Sequence, residues 1–225
     1  MEELFAGNSD RITRAYFDSL LLEMRHIDGR IPDTTFCLYG KTFDTPIMTA
    51  ALSHLDHLRP DSMAELARGA AMAKAVNWVG MGEKEELEKI TKVPSQTIKI
   101  IKPYVDNQMI FDKIAHAEKC GCLAVGIDID HAFDSAGQYD NIHGHAMSSK
   151  SLEELKEFAS STSLPFIVKG VLSERDAYQC LSAGAGGIVV SHHHGIMDYA
   201  IPPLMILPDI LRAVNREIPV FVDCG

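Results

Sequence analysis

Two apolar runs in this chain end in side chains capable of acid–base or electrostatic chemistry. Residues 164–171 read LPFIVKGV, where the run stops at Lys169, and residues 186–195 read GGIVVSHHHG, where it stops at Ser191 and three histidines. Parallel strands buried on both faces have continuous apolar sequences of this kind. Barrels built from such strands keep their reactive groups at the carboxyl ends. The pattern therefore predicts a lysine and a histidine on the same rim of a sheet.

The elements that must position these residues alternate between strand and helix. Strands are predicted at 46–50, 75–80, 97–101, 123–130, 165–169, 187–191 and 219–223. Helix start signals lie between them, at Asp61 or Ser62, at Ser151 with Glu154 three residues later, and at Ser173. Because repeated strand-then-helix units form parallel sheets, we expect an α/β fold of the (β/α)8 TIM-barrel class, with seven of its eight strands in this chain.

The predicted organisation is a single domain over residues 1–225. Residues 1–45 are expected to hold an N-terminal helix, over Arg11 to Met24, and a short hairpin that begins at residue 36. Residues 46–225 are expected to form an incomplete barrel. The chain stops on the turn that follows the seventh strand, so the sequence is interpreted as C-terminally truncated, with an eighth strand expected beyond it.

Composition excludes several classes of protein. A length of 225 residues with 46% hydrophobic and 23% charged residues suits one α/β domain, and a net charge of −10 disfavours a nucleic-acid partner. The five cysteines have no CxxC spacing and the N-terminus resembles no signal peptide. No apolar stretch approaches the roughly 20 residues of a membrane span. A cytoplasmic protein without a membrane or nucleic-acid partner is expected.

Five segments together resemble one enzyme family. In chain order they are TPIMTAALS, VGIDIDHAF, LPFIVKGVLSERDA, GIVVSHHHG and IPVFVDCG. They are similar to the FMN-dependent α-hydroxy acid oxidases and dehydrogenases, which include glycolate oxidase, lactate oxidase and flavocytochrome b2. The resemblance runs from about Leu22 to the end of the chain. It implies an FMN-dependent oxidoreductase for a small organic substrate, with an electron acceptor that the sequence does not identify and a homo-oligomeric full-length form.

The resemblance assigns three catalytic roles. Lys169 corresponds to the lysine beside N1 and O2 of the flavin, where a fixed ammonium stabilises the negative charge of the reduced ring. His193 corresponds to the histidine that takes a proton from the substrate, and Asp130 to the carboxylate that orients it. The register among His192, His193 and His194 stays open by one residue.

The resemblance also implies a set of flavin contacts. They comprise a backbone segment after the first strand, a serine after the sixth and the beginning of the phosphate site after the seventh: Ala50, Ala51, Leu52, Ser53, Ser191, Asp223 and Gly225. The rest of the phosphate site would follow Gly225. The chain by itself is therefore expected to bind FMN poorly and to be inactive.

Two departures from the family pattern concern the substrate. Ile196 stands where the family has an arginine that binds the substrate carboxylate. The family's second such arginine corresponds to a position among Ala132, Phe133 and Asp134, so it is also missing. Lys102, Asp128 and His194 are the candidate substrate contacts. Either Lys102 supplies the missing charge for an atypical 2-hydroxy acid, or the substrate is uncharged or cationic; the lost arginines favour the second reading.

Two alternatives use the same residues differently. A barrel hydrolase could bind Zn²⁺ or Mn²⁺ through imidazoles and carboxylates at the strand ends: His54, His57, Asp128, Asp130, His192, His194 and Asp223. Lys169 would have no clear role in such a site. The chain could also be a non-catalytic family member that kept the fold for binding or assembly. The main interpretation involves no metal.

Overall fold

A computed structural model describes residues 8–224, and its centre is a parallel sheet. The six strands of this sheet are β3 Val76–Val79, β4 Gln96–Ile101, β5 Ala124–Asp128, β8 Phe166–Val171, β9 Gly187–Val190 and β10 Val220–Val222. Their order is β10-β9-β8-β5-β4-β3, and every neighbouring pair is parallel. The α/β architecture predicted from the alternating pattern is confirmed, as a six-stranded part of a barrel.

Helices and small hairpins surround the sheet. The helices are α1 Asn8–Ser19, α2 Ser62–Met72, α3 Lys84–Thr91, α4 Asn107–Lys119, α5 Leu152–Ser160, α6 Glu174–Ser182 and α7 Pro203–Val214. One hairpin pairs β1 Phe36–Leu38 with β2 Lys41–Phe43, and the other pairs β6 Asn141–Ile142 with β7 His145–Ala146. Single 3-10 turns occupy Leu55–His57 and Ile129–Ala132. Among the described helices none is long and apolar enough to cross a membrane.

The predicted strand at 46–50 is wrong as a regular strand. This segment lies alongside β3 and meets it through the Thr49 N–H bonded to Val76 O and through a single parallel bridge between Leu52 and Val79. The Thr49 hydroxyl accepts the N–H of Trp78 at 2.7 Å. Because a side-chain oxygen takes the donor that a ladder carbonyl would use, regular pairing does not develop there.

Side-chain alternation separates the sheet into two faces. Ile98, Ile100 and Ile167 pack in an inner cluster with the β1–β2 hairpin, while Val125 and Val168 belong to the larger core under the helices. Strand side chains alternate with a period of two. The residues in register with the inner face at the strand ends are therefore directed to the inside of the sheet.

The helix start signals at Ser151 and Ser173 are confirmed. Ser151 forms a capping box with Glu154 at the start of α5, and the Ser173 hydroxyl accepts the N–H of Asp176 at the start of α6. Asp61 precedes α2 with a left-handed backbone and makes no side-chain cap. The caps thus place two of the helices that cover β8.

Helix α1 ends earlier than the apolar pattern predicts. It stops at Ser19 rather than continuing to Met24, and Leu21 and Leu22 beyond it are almost fully exposed. A short helix depends on tertiary packing for its stability, and these leucines make no core contact. The buried residues of α1 are instead Ser9 and Thr13.

Candidate active site

Four strand ends bring charged side chains together at the carboxyl rim of the sheet. Lys102 follows β4, Asp128 ends β5, Lys169 lies in β8 and Asp223 follows β10. Each is separated by an even number of residues from an inner-face residue of its own strand, so parallel pairing and alternation direct all four inward. Lys169 therefore lies at the rim where the sequence predicted it, in a cluster that also contains a second lysine and carboxylates from other strands.

Lys169 lies at the centre of this cluster. Its ammonium lies 3.0 Å from the Ser191 hydroxyl, 3.3 Å from Asp223 Oδ2 and 3.6 Å from Asp128 Oδ1. Burial by itself lowers the pKa of this lysine, but the charges of Asp128, Asp130 and Asp223 outweigh burial and raise the pKa. Lys169 is a buried, permanently charged ammonium.

The structure distinguishes the three consecutive histidines. His193 Nδ1 lies 3.1 Å from Asp130 Oδ1 and 3.3 Å from the Asp128 carboxylate. His192 instead bonds through Nε2 to Thr13 Oγ1 at 2.8 Å, and its Nδ1 accepts the N–H of Gly195. Both nitrogens of His192 are thus used in the fold, where it connects the loop after β9 to α1.

The geometry around His193 determines which ring nitrogen carries the proton. Carboxylates only accept hydrogen bonds, so Nδ1 is the donor to Asp130, and in the neutral form of the ring Nε2 has the lone pair. The Lys169 ammonium, 3.4 Å from the same Nδ1, is then a close neighbour and not a donor to it. Burial lowers the pKa of His193, but hydrogen bonds and charges from Asp128 and Asp130 raise it above its usual value.

The pKa values of Asp130 and Asp128 are shifted in opposite directions. Burial, followed by the charge of Asp128, raises the pKa of Asp130 to about 6, whereas Lys169 and His193 hold the pKa of Asp128 well below its usual range against burial. Asp130 reaches this position because Gly170 has no side chain. A Cβ there would lie 2.6 Å from the Asp130 carboxyl carbon, and the backbone φ of +96° favours glycine.

Lys102 is also paired. Its ammonium lies 2.8 Å from Asp128 Oδ2, and both side chains are buried. Asp128 therefore sits between two lysines from different strands. This arrangement leaves neither ammonium without a carboxylate partner.

A cavity of about 280 Å³ opens over these groups. The predicted residues Lys102, Lys169, His193 and His194 line it, together with the described flavin-contact candidates Ala50, Ala51, Leu52, Ser53 and Asp223. A second cavity of about 650 Å³ shares Ala50, Ala51, Lys169 and Asp223 and has apolar walls that include Trp78 and Phe221. Gly225 lies outside the described residues.

Several cavity residues were not predicted from the sequence as site residues. His131 lies edge-on to His193, with ring centroids 4.0 Å apart, and its Nδ1 bonds to Asp140 Oδ2 at 2.9 Å. His143 also lines the cavity, and its ring lies 4.8 Å from that of His54, which the sequence had suggested only as a metal ligand of the hydrolase alternative. The position of His131 directly after Asp130 was a usable signal. The contact between His54 and His143 joins two loops and had none.

The sites of the family's two arginines lie apart from this arrangement. Neither Ile196 nor the segment 132–134 lines the cavity, and its described lining contains no arginine. Phe133 instead stacks on Tyr139, with ring centroids 5.1 Å apart, in the loop that follows β5. The loss of both arginines, inferred from the sequence, agrees with this lining.

Comparison with known proteins supplies the family. The model of the FMN-dependent dehydrogenases matches residues 5–153 and 134–225, which together span most of the chain. The chain belongs to the FMN-dependent dehydrogenase family. Its cofactor class is accordingly FMN, and its reaction class is oxidation and reduction, as the resemblance implied.

Three proteins to which the chain is similar share about a quarter of its aligned residues. Glycolate oxidase 2 of Oryza sativa subsp. indica is 25% identical over 97% of this chain and 68% of that protein. L-lactate oxidase of Lactobacillus jensenii is 26% identical over 93% of this chain and 59% of that protein. A crystal structure of mandelate oxidase superposes with a TM-score of 0.85, at 24% identity, over 97% of this chain and 71% of that one. The shared fold confirms the barrel class.

Proposed function

We propose that this chain contains the catalytic residues of an FMN-dependent oxidation, in which His193 is the base, Asp130 orients it and Lys169 faces the flavin. The observation that carries the proposal is the hydrogen bond between His193 Nδ1 and Asp130, at 3.1 Å, in a cavity that Lys169 also lines. The substrate is a small molecule with a hydroxyl on the reacting carbon. A cavity of about 280 Å³ supports that size.

The residues present fit FMN. The larger cavity offers an apolar wall for a flat ring system, and at its junction with the smaller one Lys169 supplies an ammonium for the polar edge of that ring. The buried Oδ1 of Asp223 has no hydrogen-bond partner in the described chain, so it can accept a hydrogen bond from a hydroxyl group of FMN. We assign Lys169, Ser191, Asp223 and the segment Ala50 to Ser53 to FMN; Gly225 stays a prediction.

The proton moves to His193. With Nδ1–H donated to the carboxylates, Nε2 has the lone pair that accepts the proton of the substrate hydroxyl. The imidazolium that forms is stabilised by the negative charge of Asp128 and by the hydrogen bond to Asp130. FMN, when bound, would supply the acceptor for the hydride that leaves the reacting carbon, which is the hydrogen on that carbon together with two electrons.

The metal hydrolase alternative is not favoured. Asp128, Asp130 and His193 do lie close enough to share an ion. However, the ammonium groups of Lys102 and Lys169 already supply the positive charge next to Asp128. His192, the other predicted ligand on β9, is engaged with Thr13. The donor set is therefore already neutralised by the chain itself.

Further properties follow as proposals. We assign residues 1–45 to an N-terminal helix and hairpin and residues 46–225 to the flavin-binding barrel of a single domain. The five cysteines are free, which supports a reducing, cytoplasmic location. The net charge of −10 supports the absence of a nucleic-acid partner. Homo-oligomerisation of a full-length form and the nature of the electron acceptor rest on the family resemblance.

The test is anaerobic reduction of the FMN-loaded full-length form, followed by visible absorption. Wild-type protein is mixed with glycolate, lactate, mandelate and the corresponding neutral amides. We expect His193→Gln to bind FMN as wild type does but to lower the rate of flavin reduction by at least about 100-fold, the typical contribution of a positioned base.

His143→Gln is the matched control, because His143 lines the same cavity and packs against His54 without contacting Asp130. It should retain most of the rate. Equal losses in the two variants, or none in His193→Gln, would refute the assignment of the base. Failure of the full-length form to bind FMN at any concentration would refute the cofactor assignment, because weak binding is expected only of this chain by itself.

A further inference from the structure

We propose that His131, held by Asp140, is a fixed hydrogen-bond acceptor that makes this site select an uncharged donor group, such as a carboxamide or a second hydroxyl, next to the reacting carbon in place of a carboxylate. The inference rests on the proposed function, because it concerns the substrate of the same cavity. It depends on the state of one imidazole, the loop that holds that imidazole, and the pairing of the nearby charges.

The hydrogen bond to Asp140 determines the tautomer of His131. Nδ1 lies 2.9 Å from Asp140 Oδ2, and since a carboxylate can only accept, Nδ1 carries the hydrogen. The other nitrogen, Nε2, then has a lone pair and no hydrogen. Burial, assisted by the charges of Lys102 and His193, lowers the pKa of His131 to about 4. The ring is neutral near pH 7, so Nε2 can accept a hydrogen bond but cannot donate one.

The loop after β5 is built to keep Asp140 in place. The Asp140 N–H donates to Ala132 O at 3.1 Å, and the stacked rings of Phe133 and Tyr139 close the loop between them. Asp134 accepts hydrogen bonds at the tip of the same loop. Several independent contacts therefore hold the carboxylate against His131, so the tautomer does not depend on a single mobile side chain.

His131 lies next to the position proposed for the substrate group that neighbours the reacting carbon. Its ring is in contact with that of His193, at a centroid separation of 4.0 Å and an interplanar angle of 89°. A substrate whose hydroxyl reaches the His193 base has its adjacent carbon a bond length away. His131 and His193 line the same cavity of about 280 Å³, and we therefore place the group on that carbon against His131.

The charges of the cavity oppose a carboxylate there. Lys102 is paired with Asp128 at 2.8 Å, and Lys169 with Asp223 at 3.3 Å. A substrate carboxylate would meet two ammonium groups that already have carboxylate partners, and it would also face the lone pair of His131. Charges brought into a buried site without a free counter-charge are strongly disfavoured. A carboxamide N–H or a hydroxyl satisfies Nε2 without that cost.

The experiment compares three derivatives of lactic acid in the FMN-loaded full-length form, which differ only in the group next to the reacting carbon: lactamide, methyl lactate and lactate. The first offers a neutral donor, the second is neutral without one, and the third is an anion. We expect kcat/KM to be about tenfold higher for lactamide than for methyl lactate, the size of one neutral hydrogen bond, and lowest for lactate. The mandelate series, with its larger side chain, repeats the comparison.

Two variants isolate the role of His131. His131→Phe keeps a ring against His193 but has no acceptor, so the ratio of kcat/KM for lactamide to kcat/KM for methyl lactate should fall from about ten to about one, whatever the change in absolute rate. Asp140→Asn allows Nδ1 to accept and Nε2 to carry the hydrogen, so it should also abolish the preference for lactamide. A wild-type preference for lactate, or a preference for lactamide that persists in both variants, would overturn the proposal.

A measurement without turnover accompanies the kinetics. Nitrogen-15 NMR of the histidine rings should show His131 as the Nδ1–H tautomer that does not titrate between pH 5 and 8, with an Nε2 signal that shifts on adding lactamide but not methyl lactate. A titrating His131, or no selective shift, would contradict the proposal even if the chain failed to bind FMN. His193→Gln should abolish turnover of every compound, so the failure of the general function is distinguishable from the failure of this inference.

Discussion

Two lysines of the central sheet are equally buried, but their pKa values are shifted in opposite directions. Lys169, on the inner face of β8, is 5% exposed, and Lys99, on the outer face of β4, is 4% exposed. The pKa of Lys169 is raised by the carboxylates of Asp128, Asp130 and Asp223, which outweigh burial. The pKa of Lys99 is lowered to about 8, mainly by burial and then by the nearby charge of Lys113.

Their partners explain the difference. The Lys99 ammonium donates to the backbone carbonyl of Gly80, a neutral acceptor, and its nearest acid is Glu86, whose own pKa is raised by burial. The partners of Lys169 are three carboxylates delivered by the ends of two strands, β5 and β10. Depth in the sheet is therefore a poor guide to function, whereas convergence of carboxylates from different strands identifies the reactive rim.

Among the variants that test the difference between the two lysines, Lys169→Met is expected to have the largest effect on stability. Removing the ammonium leaves Asp223 without its charge partner and Asp128 with only Lys102, in a buried environment. We expect the free energy of unfolding to fall by about 3–5 kcal/mol, measured by urea unfolding of the protein without FMN. Adding Asp223→Asn to Lys169→Met should recover part of the loss. A double variant less stable than Lys169→Met alone would show that the loss is not caused by an unpaired carboxylate.

A smaller effect is expected from pH. The folded pKa of Lys99, about 8, lies below its ordinary value of 10.5. Between these values the unfolded chain binds the proton and the folded chain does not, so the contribution of Lys99 to stability rises with pH, by about 3 kcal/mol at most. Lys169 has the opposite sign, and its contribution is lost only above pH 10.5.

The measurement is the difference in unfolding free energy between wild type and Lys99→Met at several pH values from 7 to 10. Subtracting the variant removes the contributions of other titrating groups. We expect wild type to gain on the variant as pH rises through 8. A difference that stays flat, or that falls with pH, would mean that Lys99 keeps its charge and that the two lysines are electrostatically alike.

The smallest effect is expected for Lys99→Met itself at pH 7. The variant loses the hydrogen bond to Gly80 O but also removes a charge that burial disfavours, and methionine fills a similar space. We expect a change within about 1 kcal/mol in unfolding free energy and unchanged flavin reduction. A loss as large as that of Lys169→Met would break the distinction between a structural and a reactive lysine.

Several features could be predicted from local sequence because their causes are local. The apolar runs before Lys169 and Ser191, and the cap residues Ser151 and Ser173, specify strands and helices with little reference to distant contacts. The segment at 46–50 could not be predicted in the same way. It has the apolar content of a strand, but its pairing depends on how Thr49 meets Trp78, 29 residues away.

The sequence by itself determined that parallel strands would end in Lys169, Asp128 and a histidine run on one rim, because alternation and parallel pairing follow from residue type and order. Only the tertiary structure decided that His193 contacts Asp130 while His192 bonds to Thr13, and that Asp140 sets the tautomer of His131. Each of these outcomes depends on a loop or helix that is distant in the chain. A hydrogen bond is directional and short, so a small displacement of a distant loop or helix changes its partner, whereas hydrophobic burial is non-directional and tolerates such displacements.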